Sequence, residues 1–301
     1  MIEKQEYIVH ESAQSLRLLD YVIQFVPAVL SRNGAKNAIK NGSILLNGKP
    51  AEGSRFVKVG DKIAFVPSEP LPSKVFKLSL PVFYEDDYLA VINKPAGFGV
   101  SGNYFRTIEN ALPFNLKPSL QADALLNPRA VHRLDNQTSG LLLIAKTTLA
   151  RINLGAQFEQ KNVHKTYFAL VAGALSARGN ICFPIDSKEA LTEYVVIQQV
   201  DSVKYHKISL VKLIPHTGRT HQLRIHLSRL GHPILGDKLY TQNLPVLNGK
   251  GLFLAALELS FTHPISNEYL SFTLELPHKF SAFIKKEQSR YKNSGNPNGK
   301  N

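Results

Sequence analysis

The chain of 301 residues contains one cysteine, Cys182, and no tryptophan. A single thiol cannot close an intrachain disulfide, and there is no cysteine cluster that could bind zinc. No uninterrupted apolar run approaches the roughly 20 residues that are needed to span a bilayer. The first 14 residues are too charged for a secretory signal peptide. We therefore expect a soluble cytoplasmic protein.

Acidic residues are fewer than basic ones, with 23 Asp and Glu against 36 Lys and Arg, which gives a formal net charge of +13. Such an excess favours a polyanionic partner, because each phosphate that is neutralised releases counterions. Basic proteins need not bind nucleic acid, so local sequence has to support this interpretation. The hydrophobic fraction of 44% is ordinary for a globular protein.

Composition divides the chain into four segments. Residues 10–66 form a small predicted α+β module, 67–80 a proline-rich linker, and 81–284 a large domain. Residues 285–301 are polar and basic and are expected to be disordered. In the module, helical spacing predicts a first helix, Ser31 is a credible N-cap of a second, and Asn47-Gly48 predicts a hairpin turn.

Basic side chains are concentrated in the second helix and the hairpin. Arg32, Lys36 and Lys40 are four residues apart and therefore line one helix face. A solvated surface row is the usual explanation of such a pattern. Here a basic helix precedes a basic hairpin, which favours a face that follows RNA phosphates.

The stretch 30–49 (LSRNGAKNAIKNGSILLNGK), with VKVGDKI after it, resembles the S-four-type RNA-binding domain over about 55 residues. The resemblance implies an RNA-facing role for Ser31, Arg32, Lys36, Asn47 and Lys49, and the helix face adds Lys40.

The most informative stretch is 131–146 (VHRLDNQTSGLLLIAK). Asp135 follows Arg133 by two residues, a polar turn comes next, and the apolar run 141–145 predicts a buried strand. A carboxylate on a loop at a strand edge, beside a cation, has the placement of a covalent nucleophile. Taken alone, the pattern is explained equally well by an aspartate that caps a turn near a solvated arginine.

Two later blocks contain further candidates. Tyr167 lies on the predicted strand 163–172, where a buried core tyrosine is the default. In block 215–240, a helix is predicted with Thr220 as its N-cap, and Arg224 lies at the edge of its apolar stripe. This block also contains four histidines, but their spacings of five and six residues do not bring two imidazoles onto one helical face. No acidic or cysteine ligand accompanies them, which argues against a metal site.

Together, the blocks NKPAG, HRLD..TSGLLLIAK, KTYFALVAG, TGRTHQLRIHL, LGHPILGD and F-x-H-P (261–264) resemble the pseudouridine synthase family of ribosomal large-subunit and transfer-RNA uridine isomerases. The resemblance covers about 200 residues, and several separated motifs in one order are specific. It implies an α+β catalytic domain built on a bent mixed, mostly antiparallel sheet flanked by helices. The implied activity is isomerisation of uridines in ribosomal or transfer RNA, without cofactor or metal, and a monomer is our default.

The resemblance also implies roles for individual residues. Asp135 is the catalytic acid, Arg133 enters the space of the flipped nucleotide, Tyr167 packs against the base, and Arg224 pairs with the catalytic carboxylate. The same motifs assign substrate binding to His132, Thr138 and Arg219.

The reaction explains these residue types. It breaks the carbon–nitrogen glycosidic bond of uridine, turns the uracil and rejoins it through carbon. A carboxylate could attack the ribose or remove a proton beside the anomeric carbon, and the sequence leaves both routes open. Either route needs an ionised acid, which an opposing arginine favours. The nucleotide must also leave its stack, at a cost of a few kcal/mol, which stacking on an aromatic ring offsets in part.

Two other functions compete with this one. A non-catalytic RNA-binding or ribosome-assembly protein would explain the charge and the small module, but not Asp135, Tyr167 and Arg224 together. A glycoside hydrolase could use Asp135, but such enzymes normally pair two carboxylates, and the nearby motif blocks offer no partner at a comparable motif position. Two departures from the family pattern, at 98–103 (FGVSGN) and at Ala255, leave the four roles intact. They mean that the resemblance does not carry a substrate identity with it.

Overall fold

The computed structural model describes residues 5–29, 31–66, 75–241, 247 and 249–295. The chain forms two compact units, Met1–Ser73 and Lys74–Asn301. The boundary between them falls inside the predicted linker 67–80, of which residues 67–74 lie outside the described part of the chain.

The smaller unit packs two helices against a four-stranded antiparallel sheet of order β1-β4-β2-β3. Its elements, apart from a 3₁₀ turn at Glu11–Ala13, are β1 (Gln5–Ile8), α1 (Leu18–Phe25), α2 (Arg32–Lys40), β2 (Ile44–Leu46), β3 (Lys49–Pro50) and β4 (Lys62–Phe65). The Ser31 hydroxyl accepts the backbone N–H of Gly34 at 3.0 Å and so caps α2 as predicted. The unit has its own core around Leu18, Val22 and Ile63. Strand β1 was not predicted.

The described residues of the larger unit form a sheet of ten strands. The strands are β5 (Val82–Glu85), β6 (Leu89–Lys94), β7 (Ala124–Ala130), β8 (Ser139–Thr147), β9 (His164–Ala172), β10 (Arg178–Ile181), β11 (Thr192–Ser202), β12 (His206–Pro215), β13 (Leu254–Thr262) and β14 (Tyr269–Thr273). The helices are α3 (Ile108–Asn115), α4 (Thr148–Glu159), α5 (Gln222–Arg229) and α6 (His278–Asn293).

The strand order in this sheet is β10-β11-β12-β9-β13-β8-β6-β5, with β14 against β13 and β7 against β8. Among the described strands, β8 and β13 pair in parallel, and the other pairs are antiparallel. The expectation of an α+β fold with a mixed, mostly antiparallel sheet flanked by helices is confirmed.

The centre of the sheet is apolar on both faces. In β8, Leu142 and Ile144 pack in one cluster with Leu112 of α3, whereas Leu141 and Leu143 pack in a second cluster on the other face. This alternation follows from the two-residue period of a strand, and it explains why 141–145 is an unbroken apolar run. The strand that follows the Asp135 loop is therefore fixed by burial on both sides.

Gly140, at the start of β8, is required by the parallel pairing with β13. A Cβ at this position would overlap the carbonyl oxygen of Ala256 and lie 2.6 Å from its backbone nitrogen, and its φ is 124°. Only glycine tolerates this approach and this conformation. The polar turn before the apolar run is thus tied to the centre of the sheet.

The predicted disorder of 285–301 is wrong for its first part, because α6 continues to Asn293. Its inner face buries Phe280, Phe283, Ile284 and Glu287, which anchors the helix although its other face is polar and basic. Residues 296–301 lie outside the described residues. No helix in the described ranges is both long and apolar enough to cross a membrane.

Candidate active site

Asp135 lies on the loop between β7 and β8, and its side chain, 17% exposed, lines a cavity of about 270 Å³. Every other residue that the sequence assigns to the catalytic domain's site lines the same cavity: His132, Arg133, Thr138, Tyr167, Arg219 and Arg224. They come from three separate blocks of sequence, and the sheet brings them together.

Arg224, on α5, lies between two carboxylates. Its Nε and Nη2 atoms donate to both oxygens of Asp237, at 2.7 and 2.8 Å, and its Nη1 atom is 3.7 Å from Oδ2 of Asp135. The predicted pairing with Asp135 is therefore the longer of two, and the shorter, bidentate one has a partner that received no role from the sequence. The LGHPILGD block contains Asp237, and a buried arginine needs such a planar partner.

Arg224 and Asp237 each keep the other charged. Burial acts to lower the pKa of Arg224, but the hydrogen bonds and charge of Asp237, with the charges of Asp135 and Tyr240, raise it. Burial acts to raise the pKa of Asp237, but hydrogen bonds from Arg224 and from the backbone of Leu239 and Tyr240 lower it. A permanent positive charge therefore lies beside Asp135.

His221 lines this side of the cavity and contacts Tyr240, and sequence reasoning gave neither of them a role. His221 Nε2 is 3.9 Å from Oδ1 of Asp135, and its Nδ1 is 2.9 Å from the Tyr240 hydroxyl. The Arg224 guanidinium lies over the Tyr240 ring, 5.1 Å from its centroid. No spacing rule would have found these contacts, because they join the start of α5 to the Asp135 loop and to the segment after Asp237.

The predicted N-cap of α5 is wrong. The helix begins at Gln222, and His221 takes the cap position in a left-handed conformation with φ 55°. The reason is the Gln222 side chain, which accepts from the Thr217 hydroxyl and the Arg219 N–H and donates to Thr192. This network ends the preceding turn and fixes the start of the helix.

The four histidines of this block do not form a group. His226 bonds to Thr192 and to the Phe183 carbonyl, His216 lies near Glu193, and His232 bonds to a strand carbonyl. Within the described ranges, no cluster of three or more His, Cys, Asp or Glu side chains could bind a metal ion.

Tyr167, on β9, contributes an aromatic wall. Burial and the charge of Asp135 both raise its pKa above the ordinary value of 10.0. The phenol therefore stays protonated at neutral pH and offers a neutral hydroxyl and a π-face. Lys165, two residues earlier on the same strand, also lines the cavity, and burial lowers its pKa.

His132 is occupied by the fold. Its Nε2 accepts the backbone N–H of Leu143 at 3.1 Å, and its ring stacks on Phe158 with centroids 4.9 Å apart. Burial, with the charge of Lys165, lowers its pKa to about 3, so the imidazole is neutral. These contacts support a role in positioning the Asp135 loop more than one in binding substrate.

Lys94, from the NKPAG corner, fixes the other side of that loop. It is fully buried, and its ammonium donates to the carbonyls of Pro95, Asn136 and Thr138 at 3.0, 3.3 and 2.8 Å. Burial lowers its pKa to about 8, although the charge of Asp135 acts in the opposite direction. The corner thus supports the loop that contains Asp135.

Thr138 and the two remaining arginines differ in exposure. The Thr138 hydroxyl is buried, without a hydrogen-bond partner among the described residues. Arg133 is exposed and also lines a second cavity of about 640 Å³, which Asp135 and Arg224 share. Arg219 is exposed at the rim, where its Nε donates to the Glu189 carbonyl at 3.0 Å.

Residues 88–229 match the family model described as RNA pseudouridylate synthase, and residues 17–63 match the S4 domain. Over 298 residues the chain is 32% identical to ribosomal large subunit pseudouridine synthase D of Zymomonas mobilis, with 89% of this chain and 92% of that protein covered. The chain belongs to the RNA pseudouridine synthase family. Asp237 and Tyr240 follow the end of the family match.

Two further proteins extend the comparison. The tRNA pseudouridine synthase C of Pasteurella multocida is 37% identical over 222 residues, covering 64% of this chain and 90% of that protein. A human protein, RNA pseudouridylate synthase domain containing 1, has the same fold, with a TM-score of 0.53, 26% identity, and 69% and 86% of the chains covered. The predicted family, the S4 domain and the enzyme class, an RNA uridine isomerase, are confirmed.

The S4 domain of this pseudouridine synthase leaves its basic residues accessible. Lys36 and Lys40 are exposed and line a cavity of about 490 Å³ between α2 and the segment after β3. Lys49 is exposed, and the exposed Arg32 lies 3.2 Å from Asp20.

Two of the predicted RNA-facing side chains have structural partners. Ser31 caps α2, and Asn47 donates to Asp61 and accepts from the Lys62 N–H, both at 2.8 Å.

Proposed function

We propose that this enzyme converts particular uridines of structured ribosomal or transfer RNA to pseudouridine, with Asp135 as the catalytic carboxylate. The observation that carries the proposal is the position of that carboxylate, in one cavity with Tyr167 and 3.7 Å from the permanently charged Arg224. Relatives named for the large ribosomal subunit and for tRNA support this substrate class.

The chemistry requires no redox step and no hydrolysis. The bond between C1′ and N1 breaks, the uracil turns, a bond forms between C1′ and C5, and the C5 proton is lost while N1 gains one. An ionised Asp135 either adds to C1′ or removes a proton from C2′. In both routes the carboxylate has to be charged and close to the ribose, and Arg224 provides the opposing charge in a partly buried site.

The target nucleotide has to flip out of its stem, because the Asp135 carboxylate lies inside a cavity. A uridine inside a stem cannot reach it, and extrusion costs a few kcal/mol. Arg133 is exposed at the junction of the two cavities, which suits a side chain that enters the vacated stack. Tyr167 offers its ring to the extruded uracil, and stacking offsets part of the cost.

The S4 domain contributes affinity for RNA through phosphate contacts. Arg32, Lys36, Lys40 and Lys49 are the side chains that we assign to this role, because all are exposed. Ser31 and Asn47 shape the surface rather than contact RNA, since their polar atoms serve the helix cap and the turn.

The test is replacement of Asp135 by asparagine, with unmodified transcripts of bacterial large-subunit ribosomal RNA and tRNA as substrates. We expect no pseudouridine by mass spectrometry and an RNA Kd close to that of the unaltered chain. The exposed Asp201, which pairs with Lys207, provides the matched control, and Asp201→Asn should retain full activity. Turnover by Asp135→Asn would exclude Asp135 as the catalyst. A non-catalytic RNA-binding protein would yield no pseudouridine even with the unaltered chain.

A further inference from the structure

The loop that follows the NKPAG corner exposes two neighbouring aromatic rings. Tyr104 is 49% exposed and Phe105 46% exposed, and the next residue, Arg106, is also exposed. This loop includes the stretch 98–103, in which the chain departs from the family pattern. A substrate preference of this particular enzyme is therefore expected to depend on such a segment.

Two glycines make room for the Tyr104 ring. A Cβ at Gly99 would overlap the Tyr104 hydroxyl oxygen and lie 2.9 Å from Cζ, and a Cβ at Gly102 would lie 2.7 Å from Cε1. Gly102 also has a φ of 146°, which side chains rarely adopt. The loop is thus shaped around one placement of this ring.

The Tyr104 ring lies beside the loop that contains Asp135. A Cβ on Gly99 would overlap the Tyr104 hydroxyl, and it would lie 3.0 Å from Oδ1 of Asn136. The Tyr104 hydroxyl and the Asn136 amide are therefore neighbours. Asn136 is exposed and directly follows Asp135, and its carbonyl accepts the Gly97 N–H at 2.7 Å. The hydroxyl end of the Tyr104 ring and an amide therefore lie together, one residue from the catalytic carboxylate.

The loop is held in place before any ligand arrives. The Asn110 side chain of α3 donates to the carbonyls of Tyr104 and Phe105, at 3.4 and 2.9 Å. The Phe105 ring packs edge-on against Phe76, with centroids 5.6 Å apart. Because the backbone is already ordered, a base that stacks on Tyr104 incurs little loop-ordering entropy.

We propose that Tyr104 is the stacking platform for an unpaired nucleotide next to the target uridine, with Arg106 contacting its phosphate, and so helps to select the uridine. This inference rests on the proposed function. A half-exposed ring, followed closely in sequence by the exposed Arg106, suits single-stranded RNA, because bases stack on aromatic faces and phosphates pair with cations. Asn136 adds a donor and an acceptor for the edge of that base.

The experiment uses the full chain and stem-loops copied from whichever sites it modifies in unmodified large-subunit ribosomal RNA and tRNA transcripts. Loss of one stacked base by Tyr104→Ala should raise KM by about 5- to 150-fold with little change in kcat. Tyr104→Phe should keep most of the affinity. Tyr104→Leu, which fills the space without a π-face, should behave like Tyr104→Ala.

A stem-loop with 2-aminopurine beside the target uridine gives a direct readout. Its fluorescence should be quenched on binding the unaltered chain and Asp135→Asn, but not Tyr104→Ala. The matched control is Tyr269→Ala, because Tyr269 is 61% exposed on β14 and bonds to Ser260. This control should leave KM and quenching unchanged, and melting temperatures should verify that each variant is folded.

The outcomes separate this inference from the proposed function. If the unaltered chain forms pseudouridine and Tyr104→Ala has the same KM, site pattern and quenching, the stacking role is excluded and the exposed ring is left to a protein partner. If Tyr104→Leu retains the affinity of the unaltered chain, the ring only supports the loop, and the inference also fails. Absence of pseudouridine with the unaltered chain would instead overturn the proposed function.

Discussion

Replacement of Asp237 by asparagine is expected to destabilise the larger unit by about 3 kcal/mol. The Asp237 side chain is 1% exposed and accepts two hydrogen bonds from Arg224 and two from the backbone of Leu239 and Tyr240. Removing one partner of a buried ion pair typically costs about 3–5 kcal/mol, because the other charge is left uncompensated. We expect the lower end of that range, because Asp135 remains 3.7 Å from Arg224.

The same change should also reduce activity. Without Asp237, the carboxylate that remains near Arg224 is that of Asp135, and a tighter pair between them would draw Asp135 away from the position that we propose for the ribose. A displacement of about 1 Å at a reacting group can cost about 100-fold in rate. We therefore expect kcat to fall by up to that factor, with a smaller effect on the Kd for RNA.

Urea unfolding followed by far-UV circular dichroism is the appropriate stability assay, because the chain has no tryptophan. The two units have separate cores, so two transitions are expected, and only the one from the larger unit should shift. The control is Asp201→Asn, which breaks the exposed pair with Lys207 and should give no measurable change.

The pH dependence gives an independent check. The pKa of Asp237 is lowered below its ordinary 3.8 in the folded protein, so its stabilisation is present above that pH and is lost as the pH falls further. The difference between the unaltered chain and Asp237→Asn should be constant from pH 5 to 8 and shrink below about pH 3.8. A difference at pH 7 as small as that of Asp201→Asn would refute the assignment of a desolvated pair.

Three further outcomes are expected. Lys94→Met should lower kcat more than it lowers the affinity for RNA. Burial lowers the pKa of Lys94 to about 8 in the folded protein, so between pH 8 and 10.5 the unfolded chain binds the proton that the folded chain has lost. Urea unfolding should therefore show that the unaltered chain gains stability relative to this variant as the pH rises through that range. His132→Phe leaves the Leu143 N–H without an acceptor and should cost about 1–3 kcal/mol at pH 7. That difference should narrow from pH 6.5 towards pH 4 in the same assay, because the folded pKa is about 3. Reversing the charges of Arg32 and Lys36 should weaken RNA binding and reduce the slope of log K against log salt by about 2; an unchanged slope would exclude that face.

The candidate site residues that could be predicted from the sequence are those that belong to short local motifs. Asp135, Tyr167 and Arg224 come from three separate blocks and line one cavity. Their catalytic roles stay predictions. The fold class followed from the same blocks, and the Ser31 cap from helix chemistry, because both depend on patterns of neighbouring residues.

What the sequence did not provide depends on contacts between distant segments. His221 and Asp237 acquire their positions only when α5 packs beside the segment that follows it. The N-cap of α5 is His221 and not Thr220, because the Gln222 side chain bonds to Thr192 on β11 and fixes the start of the helix. The tail was misjudged because its polar residues continue a helix, α6, whose anchoring apolar residues Phe280, Phe283 and Ile284 precede residue 285.

The second carboxylate in the site bears on the remaining alternative, a glycoside hydrolase. Such an enzyme needs one carboxylic acid with a raised pKa to protonate the leaving oxygen. Asp237 cannot fill that role, because its hydrogen bonds lower its pKa and its two oxygens face Arg224 and backbone N–H groups. The proposed isomerisation has no glycosidic oxygen to protonate, because the bond that breaks joins C1′ to N1 of uracil. Asp237 instead holds the arginine that lies between it and Asp135, which leaves Asp135 as the carboxylate that we propose to react.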